Sequence, residues 1–227
     1  MNLADLGRRY ALDTPALQRL GGLLDALVSD PLAPTTVRDR DRALEDHLAD
    51  SLVALELEPV RTATTIADLG SGAGLPGLPL AIACPSAQVS LVEAAGRKYA
   101  FLERVVDSLA LDNATVVHAR AEELEGSYDL VTVRALASLA VVAEYAAPLL
   151  RLGGSVVVWR GGRDPEAELE GQRAAEELGL EVGPVVPVSP YPRAQRRHLH
   201  LMSKVAQTPP RFPRRPGMAV KRPLGRR

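Results

Sequence analysis

One stretch, Asp68-Leu69-Gly70-Ser71-Gly72-Ala73-Gly74-Leu75-Pro76-Gly77, constrains this chain more than any other. A short β-prone run, Thr64 to Ala67, leads into it, and an apolar run with helical promise, Leu78 to Ala83, leads out. The stretch predicts a strand, a glycine-rich turn and the start of a helix. Glycines accept positive φ and carry no Cβ, so backbone here can come close to a nucleotide-like ligand. Pro76, with its fixed φ, stiffens the turn and favours a helix start. Glu93 follows nineteen residues after Gly74, at the end of the apolar run Val89 to Val92. A carboxylate at that place can accept hydrogen bonds from ribose hydroxyls.

The pattern is D-x-G-x-G-x-G rather than the G-x-G-x-x-G that holds a pyrophosphate on a helix N-terminus. A carboxylate at Asp68 repels phosphate and suits a cationic or zwitterionic ligand. S-adenosylmethionine has an amino-acid end, a sulfonium charge and a ribose but no phosphate. The turn therefore favours S-adenosylmethionine over NAD or a purely structural role.

From residue 64 onward strands and helices alternate. Strands are expected at 64–68, 88–93, 115–118, 128–133, 154–159, 182–188 and 198–203, and helices near 76–83, 96–110, 138–150 and 165–178. Such alternation builds a parallel sheet flanked by helices. The last two strands are joined through Ser189 to Arg197, which contains two prolines and no helix, so they should pair antiparallel. The expected fold is α/β and Rossmann-like: a seven-stranded, mostly parallel sheet with a helical extension before it and a basic tail after it. In the extension, Leu17, Leu20, Leu24, Leu27 and Val28 recur at helix spacing after Thr14-Pro15, read as an N-cap and first-turn pair. Asp41 to Leu57 reads as one or two further helices with Leu44, Leu48, Leu52 and Leu55 on one face. The organisation predicted is a helical extension over 1–60, an α/β unit over 61–204 and a tail over 205–227.

A net charge of −1 hides a strong asymmetry: residues 182–227 contain eleven Lys or Arg and no Asp or Glu. Charge segregated in this way marks either an anionic partner, commonly nucleic acid, or a solvated disordered tail. Between Thr208 and Pro216 four prolines and three arginines argue against regular structure and predict an extended chain with exposed cations. The single cysteine, Cys84, excludes an internal disulfide and a multi-cysteine zinc site. No run approaches the roughly 18 apolar residues of a membrane helix, and the N-terminus lacks a signal-peptide layout. A cytoplasmic monomer that needs neither membrane nor metal is expected.

Four elements in order resemble the small-subunit ribosomal RNA methyltransferase G family, also called the glucose-inhibited division protein B family. They are His47-Leu48-Ala49-Asp50-Ser51-Leu52, the turn from Asp68 to Leu80, Arg134-Ala135-Leu136-Ala137-Ser138-Leu139, and the basic segment Gln207 to Leu224. Two departures stand out. Where the family has N-L-T, this chain reads Ala33-Pro34-Thr35-Thr36-Val37, and Arg160-Gly161 replaces its Lys-Gly. The resemblance implies a class I S-adenosylmethionine-dependent fold and methyl transfer to N7 of one guanine in 16S ribosomal RNA. It implies cofactor contacts at Gly70, Leu75, Glu93, Ala94, Ala95, Ala121, Glu122 and Arg134, and the glycine turn adds Ser71 and Gly72 as cofactor candidates. Candidate RNA contacts are Arg160, Arg196, Arg197, Lys204, Arg211, Arg214, Arg215, Lys221 and Arg222.

N7 of guanine has an in-plane lone pair and no proton, so its attack on a sulfonium methyl needs no general base and can rest on positioning. The sequence agrees: the fourth strand ends Val131-Thr132-Val133-Arg134, without the Asp/Asn-Pro-Pro-aromatic motif of exocyclic-amine methyltransferases. No catalytic acid, base or nucleophile is therefore expected. Cys84 lies at the far end of the first sheet helix and reads as structural. Arg134 reads as holding cofactor, base or phosphate, against a plain ion pair with Glu122 or Glu144. His47, Asp50 and Ser51 share one helix face, and serve either a ligand or the packing of the extension. Other readings of the same residues are a methyltransferase for another RNA or a protein, and a non-catalytic RNA-binding ribosome assembly factor with a relic cofactor site.

Overall fold

The computed structural model describes residues 1–226. Two helices open the chain, α1 (Leu3–Tyr10) and α2 (Thr14–Ser29). The N-cap of α2 is Asp13 rather than Thr14: its carboxylate accepts from the Ala16 N–H at 2.8 Å, leaving Thr14 and Pro15 in the first turn. The next helical run is broken into α3 (Arg40–Ala43), a π-helical turn over Leu44–Ala49, α4 (Asp50–Leu52) and a 3-10 turn over Val53–Glu56, before α5 (Glu58–Thr62).

Seven strands follow: β1 (Thr65–Leu69), β2 (Gln88–Val92), β3 (Ala114–Val117), β4 (Tyr128–Arg134), β5 (Leu150–Arg160), β6 (Leu180–Val188) and β7 (Arg197–Lys204). Their order is β3-β2-β1-β4-β5-β7-β6, and β7 is antiparallel to both of its neighbours. The parallel sheet and terminal hairpin expected from the alternation are therefore present. The connecting helices are α6 (Gly77–Ala83), α7 (Gly96–Ser108), α8 (Leu139–Ala146) and α9 (Pro165–Glu177). The helix expected over 138–150 stops at Ala146, because Pro148 lacks the N–H to continue it; a 3-10 turn leads directly into β5, four residues earlier than expected.

Side chains alternate between two apolar layers, as strand geometry requires. Ile66, Leu130, Val157 and Trp159 join one layer with the N-terminal helices, α6 and α7. Ala67, Val131, Val133, Val156 and Val158 join the other with α8 and α9. The tail is not a free extended chain. Phe212 and Ala219 are buried in this second layer, and Met218–Lys221 forms a helical turn, α10. Prolines exclude long helices but not docking, and the apolar residues between them supply the burial. No helix among the described residues is long and apolar enough to cross a membrane.

Candidate active site

The glycine turn joins β1 to α6 at the C-terminal edge of the sheet. Gly70 has φ +70, and a Cβ there would lie 2.7 Å from Leu136 Cδ1. At Gly77 a Cβ would fall 2.7 Å from Asp68 Oδ2, so only glycine lets α6 dock over that carboxylate. Asp68 is fully buried; it accepts from Thr132 Oγ1 at 2.8 Å and from the Gly77 N–H at 3.2 Å. Burial pushes its pKa up to about 6, against these hydrogen bonds. The carboxylate expected to meet ligand charge is instead the brace that ties β1, β4 and α6 together. Ser71 likewise turns inward, its hydroxyl donating to the Asp68 carbonyl, and Leu75 is a core residue.

Glu93 is the acceptor presented at the end of β2. Oε2 accepts from the Gly72 N–H at 3.0 Å and Oε1 from the Ala95 N–H at 2.8 Å. A carboxylate oxygen has further lone pairs, so both remain able to receive a diol. Glu93 lines a cavity of about 630 Å3 together with Gly70, Ala94, Ala121, Glu122 and Leu136. That size suits a nucleoside-containing ligand. Of the remaining sequence-predicted cofactor residues, Gly72 and Ala95 fix Glu93 from behind, and Arg134 belongs to a neighbouring cavity. Tyr145, Gly217, Val220 and Lys221 also line the larger cavity and carry no local signal in the sequence.

The neighbouring cavity, about 280 Å3, is lined by Asp50, Arg134, Trp159, Arg160, Arg197 and His198, among others. Its centre is Asp50, 3.0 Å from Arg134 Nη1 and 3.2 Å from Arg197 Nε. Arg134 pairs with neither Glu122 nor Glu144. Burial raises the Asp50 pKa while the two guanidinium groups oppose it. Those ion-pair contacts lack hydrogen-bond alignment: Arg134 Nη1, Arg197 Nε and Arg160 Nε are buried donors without a hydrogen-bond partner among the described residues. Buried donors in this state are costly, and an acceptor-rich ligand would satisfy them.

The π-helical turn explains how the N-terminal extension enters this cavity. A wide turn shifts main-chain carbonyls out of their usual pairing, and such turns recur at functional sites. Here the Asp46 carbonyl accepts from Arg134 Nη2 at 3.0 Å, the His47 carbonyl from Ser51 Oγ at 2.6 Å, and the Asp50 carbonyl from Trp159 Nε1 at 2.7 Å. His47 lies between Thr35 Oγ1, 2.8 Å from Nε2, and Arg134, with burial and the Arg134 charge lowering its pKa. Of this helix face, Asp50 lines the cavity, whereas His47 and Ser51 hold it in shape. Of the two threonines in Ala33–Val37, Thr35 is the one that reaches His47.

The predicted RNA cations divide. Arg197 and Arg160 line the arginine cavity, and Arg160 donates to the Ala137 carbonyl. Arg196, Arg215 and Arg222 are exposed, and Lys221 lines the larger cavity. Lys204 is withdrawn from contact with RNA: it is 3% exposed and donates to the Leu178 carbonyl and Thr208, with burial lowering its pKa to about 8. Arg214 is also committed internally, its guanidinium holding both oxygens of the buried Glu144 at 2.8 and 2.5 Å. Arg211 pairs with Glu177 at 2.9 Å. Arg211 and Arg214 thus pair with acids of the body and Lys204 with a carbonyl and a hydroxyl, uses that a charge count along the sequence cannot separate from RNA binding. Cys84 caps α6 and lines a different cavity with Tyr10 and Arg61, and burial raises its thiol pKa. No cluster of three His, Cys, Asp or Glu side chains suited to a metal occurs among the described residues.

A profile of the family described as rRNA small subunit methyltransferase G (GidB) matches residues 32–196. The chain belongs to this family. A "Ribosomal RNA small subunit methyltransferase G" of Rubrobacter xylanophilus is 43% identical over 197 residues, 82% of this chain and 75% of that protein. The protein of the same name from Chloroflexus aggregans is 43% identical over 210 residues, 88% and 87% of the two chains. Among solved structures, a SAM-dependent methyltransferase from Aquifex aeolicus aligns with a TM-score of 0.57 at 19% identity, covering 72% of this chain and 93% of that one. The SibL methyltransferase in its apo form aligns with a TM-score of 0.59 at 15% identity, covering 85% and 70%. The fold is therefore the class I S-adenosylmethionine-dependent methyltransferase fold, and S-adenosylmethionine is the cofactor that family and fold together imply.

Proposed function

We propose that this chain transfers a methyl group from S-adenosylmethionine to N7 of a guanine in 16S ribosomal RNA. The observation that carries this reading is that Ala135 lines both cavities. One has the glycine turn and a diol acceptor; the other has three arginines and one carboxylate, paired with two of them. A methyl donor in the first and a phosphate-bearing nucleotide in the second would meet beside that residue. The residues of the first cavity fit the cofactor: Gly70 leaves room for close approach, Glu93 receives the ribose, and the main chain of Ala94 and Ala121 borders the base. Bound there, the cofactor supplies an electrophilic methyl on sulfur.

This chain's own residues then bind and orient. Arg134, Arg160 and Arg197 against Asp50 leave the second cavity cationic, which suits a nucleotide phosphate or the guanine O6. Asp50, an acceptor in contact with two guanidinium groups, fixes their directions. N7 as nucleophile carries no proton to remove, so on this reading the work of these residues is positioning. Exposed Arg196, Arg215 and Arg222 serve the RNA backbone around the target. The reading takes the protein as a cytoplasmic monomer acting without a metal.

Incubation with methyl-labelled S-adenosylmethionine and small ribosomal subunits, followed by mass-spectrometric mapping, should place label on one guanine at N7. Label confined to an exocyclic amine or to protein would overturn the proposal, and absence of S-adenosylhomocysteine binding would favour an assembly factor with a relic site.

A further inference from the structure

We infer that the C-terminal segment 212–221 is a docked strap that forms a wall of the cofactor cavity, so that cofactor affinity depends on it. This rests on the cofactor reading above. Gly217, Val220 and Lys221 line the same cavity as Gly70, Glu93, Ala94 and Glu122. The strap is attached at several points. Phe212 and Ala219 are buried in the apolar layer shared with α8. Arg214 holds Glu144, which is 1% exposed, through both carboxylate oxygens and its own main-chain N–H. A buried carboxylate that lost this partner would be left uncompensated, so the contact strongly favours the docked strap.

The last attachment ties the strap to the cavity itself. Gly217 N–H donates to Glu122 Oε1 at 3.0 Å, and the same oxygen accepts from Tyr145 Oη at 3.1 Å. Glu122 Oε1 is thus used inside the protein. Val220 is 62% exposed although it lines a cavity, and Leu136 in the same cavity is 38% exposed. Two apolar side chains left open to water in one cavity suit a flat apolar face such as a purine. A ligand that covers Val220 stabilises the docked strap, and by linkage the docked strap raises affinity for that ligand.

The test measures S-adenosylhomocysteine binding by calorimetry for the full chain, Val220→Asp and a control, Val205→Asp. Val205 is exposed and lines none of these cavities. Val220→Asp should weaken binding about tenfold or more with little change in the melting temperature of the free protein, and Val205→Asp should not weaken it. Limited proteolysis within 205–217 should slow when S-adenosylhomocysteine is present. Equal affinity in the full chain and Val220→Asp, or cleavage unaffected by the ligand, would overturn the strap. No binding by the full chain would instead overturn the cofactor reading. Arg214→Ala gives a second readout: faster cleavage of the strap together with weaker binding supports the coupling, and faster cleavage with unchanged binding refutes it.

Discussion

The two cavities that share Ala135 are built by opposite means. The larger is organised by main-chain geometry, a glycine turn and a strand end whose Glu93 carboxylate is held by two N–H groups, with Lys98, Arg120, Glu122 and Lys221 also in its lining. The smaller is mostly charged side chain, with Asp50, Arg134, Arg160 and Arg197 contributed by the N-terminal extension, β4, β5 and β7. A main-chain cavity is shaped by backbone geometry and tolerates change at many side chains. A cavity of buried charges has no spare partner, and each loss leaves the others exposed to the full cost of burial. A ligand common to all members of a fold suits the first construction, and a substrate particular to one family suits the second.

Arg134→Ala should be the sharpest break between them. It removes one of the two guanidinium groups on Asp50 and the donor to the Asp46 carbonyl. Stability should fall by about 3 kcal/mol, as for a buried pair cut on one side. Methyl transfer should fall by about 100-fold or more from lost positioning. Calorimetric affinity for S-adenosylhomocysteine, measured below the lowered melting point, should change little. A comparable loss of cofactor affinity would mean that the two cavities are one unit and that Arg134 touches the cofactor directly.

The same contrast governs what the sequence shows. Gly70, Glu93 and the strand order follow from local rules, because a turn needs positive φ within a few residues and strands declare themselves by apolar runs. Asp68 stands out in the sequence, but D-x-G-x-G-x-G does not say that Gly77 will bring α6 down on the carboxylate. The arginine cavity is assembled by tertiary packing; the positions of Arg134, Arg160 and Arg197 are visible in the sequence, but not that Arg134 and Arg197 share Asp50 as partner. Lys204 and Arg214 count as cations along the chain, yet their acceptors, the Leu178 carbonyl and Glu144, come from elements distant in sequence. The π-helical turn at Leu44–Ala49 has no signature in the apolar spacing, which reads equally well as continuous α-helix.

Asp68 gives a pH test of the main-chain side of the comparison. Its pKa, about 6 in the folded protein, lies above the ordinary value of 3.8. A carboxyl raised in this way contributes stability that is fully present below 3.8 and is lost as pH rises through 6, up to about 3 kcal/mol. In Asp68→Asn the amide oxygen can accept from Gly77 while the Thr132 hydroxyl turns to accept from the amide N–H. Denaturant unfolding should therefore show the variant losing least, relative to wild type, at pH 7 and most near pH 4. A difference independent of pH would mean that Asp68 is solvated or differently paired.

The smallest effect is expected at the shared wall itself. Ala135 has φ 55, in the left-handed region that costs an L-residue roughly 1–2 kcal/mol. Glycine has no such cost but loses more freedom on folding, by roughly 0.5–1 kcal/mol. Ala135→Gly should thus leave stability within about 1 kcal/mol of wild type, on the favourable side if strain dominates. Its functional effect should fall on turnover rather than on cofactor affinity, because the lost methyl borders both cavities but anchors neither. Parallel measurement of melting temperature, S-adenosylhomocysteine affinity and methyl transfer separates these. Unchanged turnover with weakened affinity would place Ala135 in the cofactor wall alone, and the meeting point of donor and acceptor would lie away from the segment that follows β4.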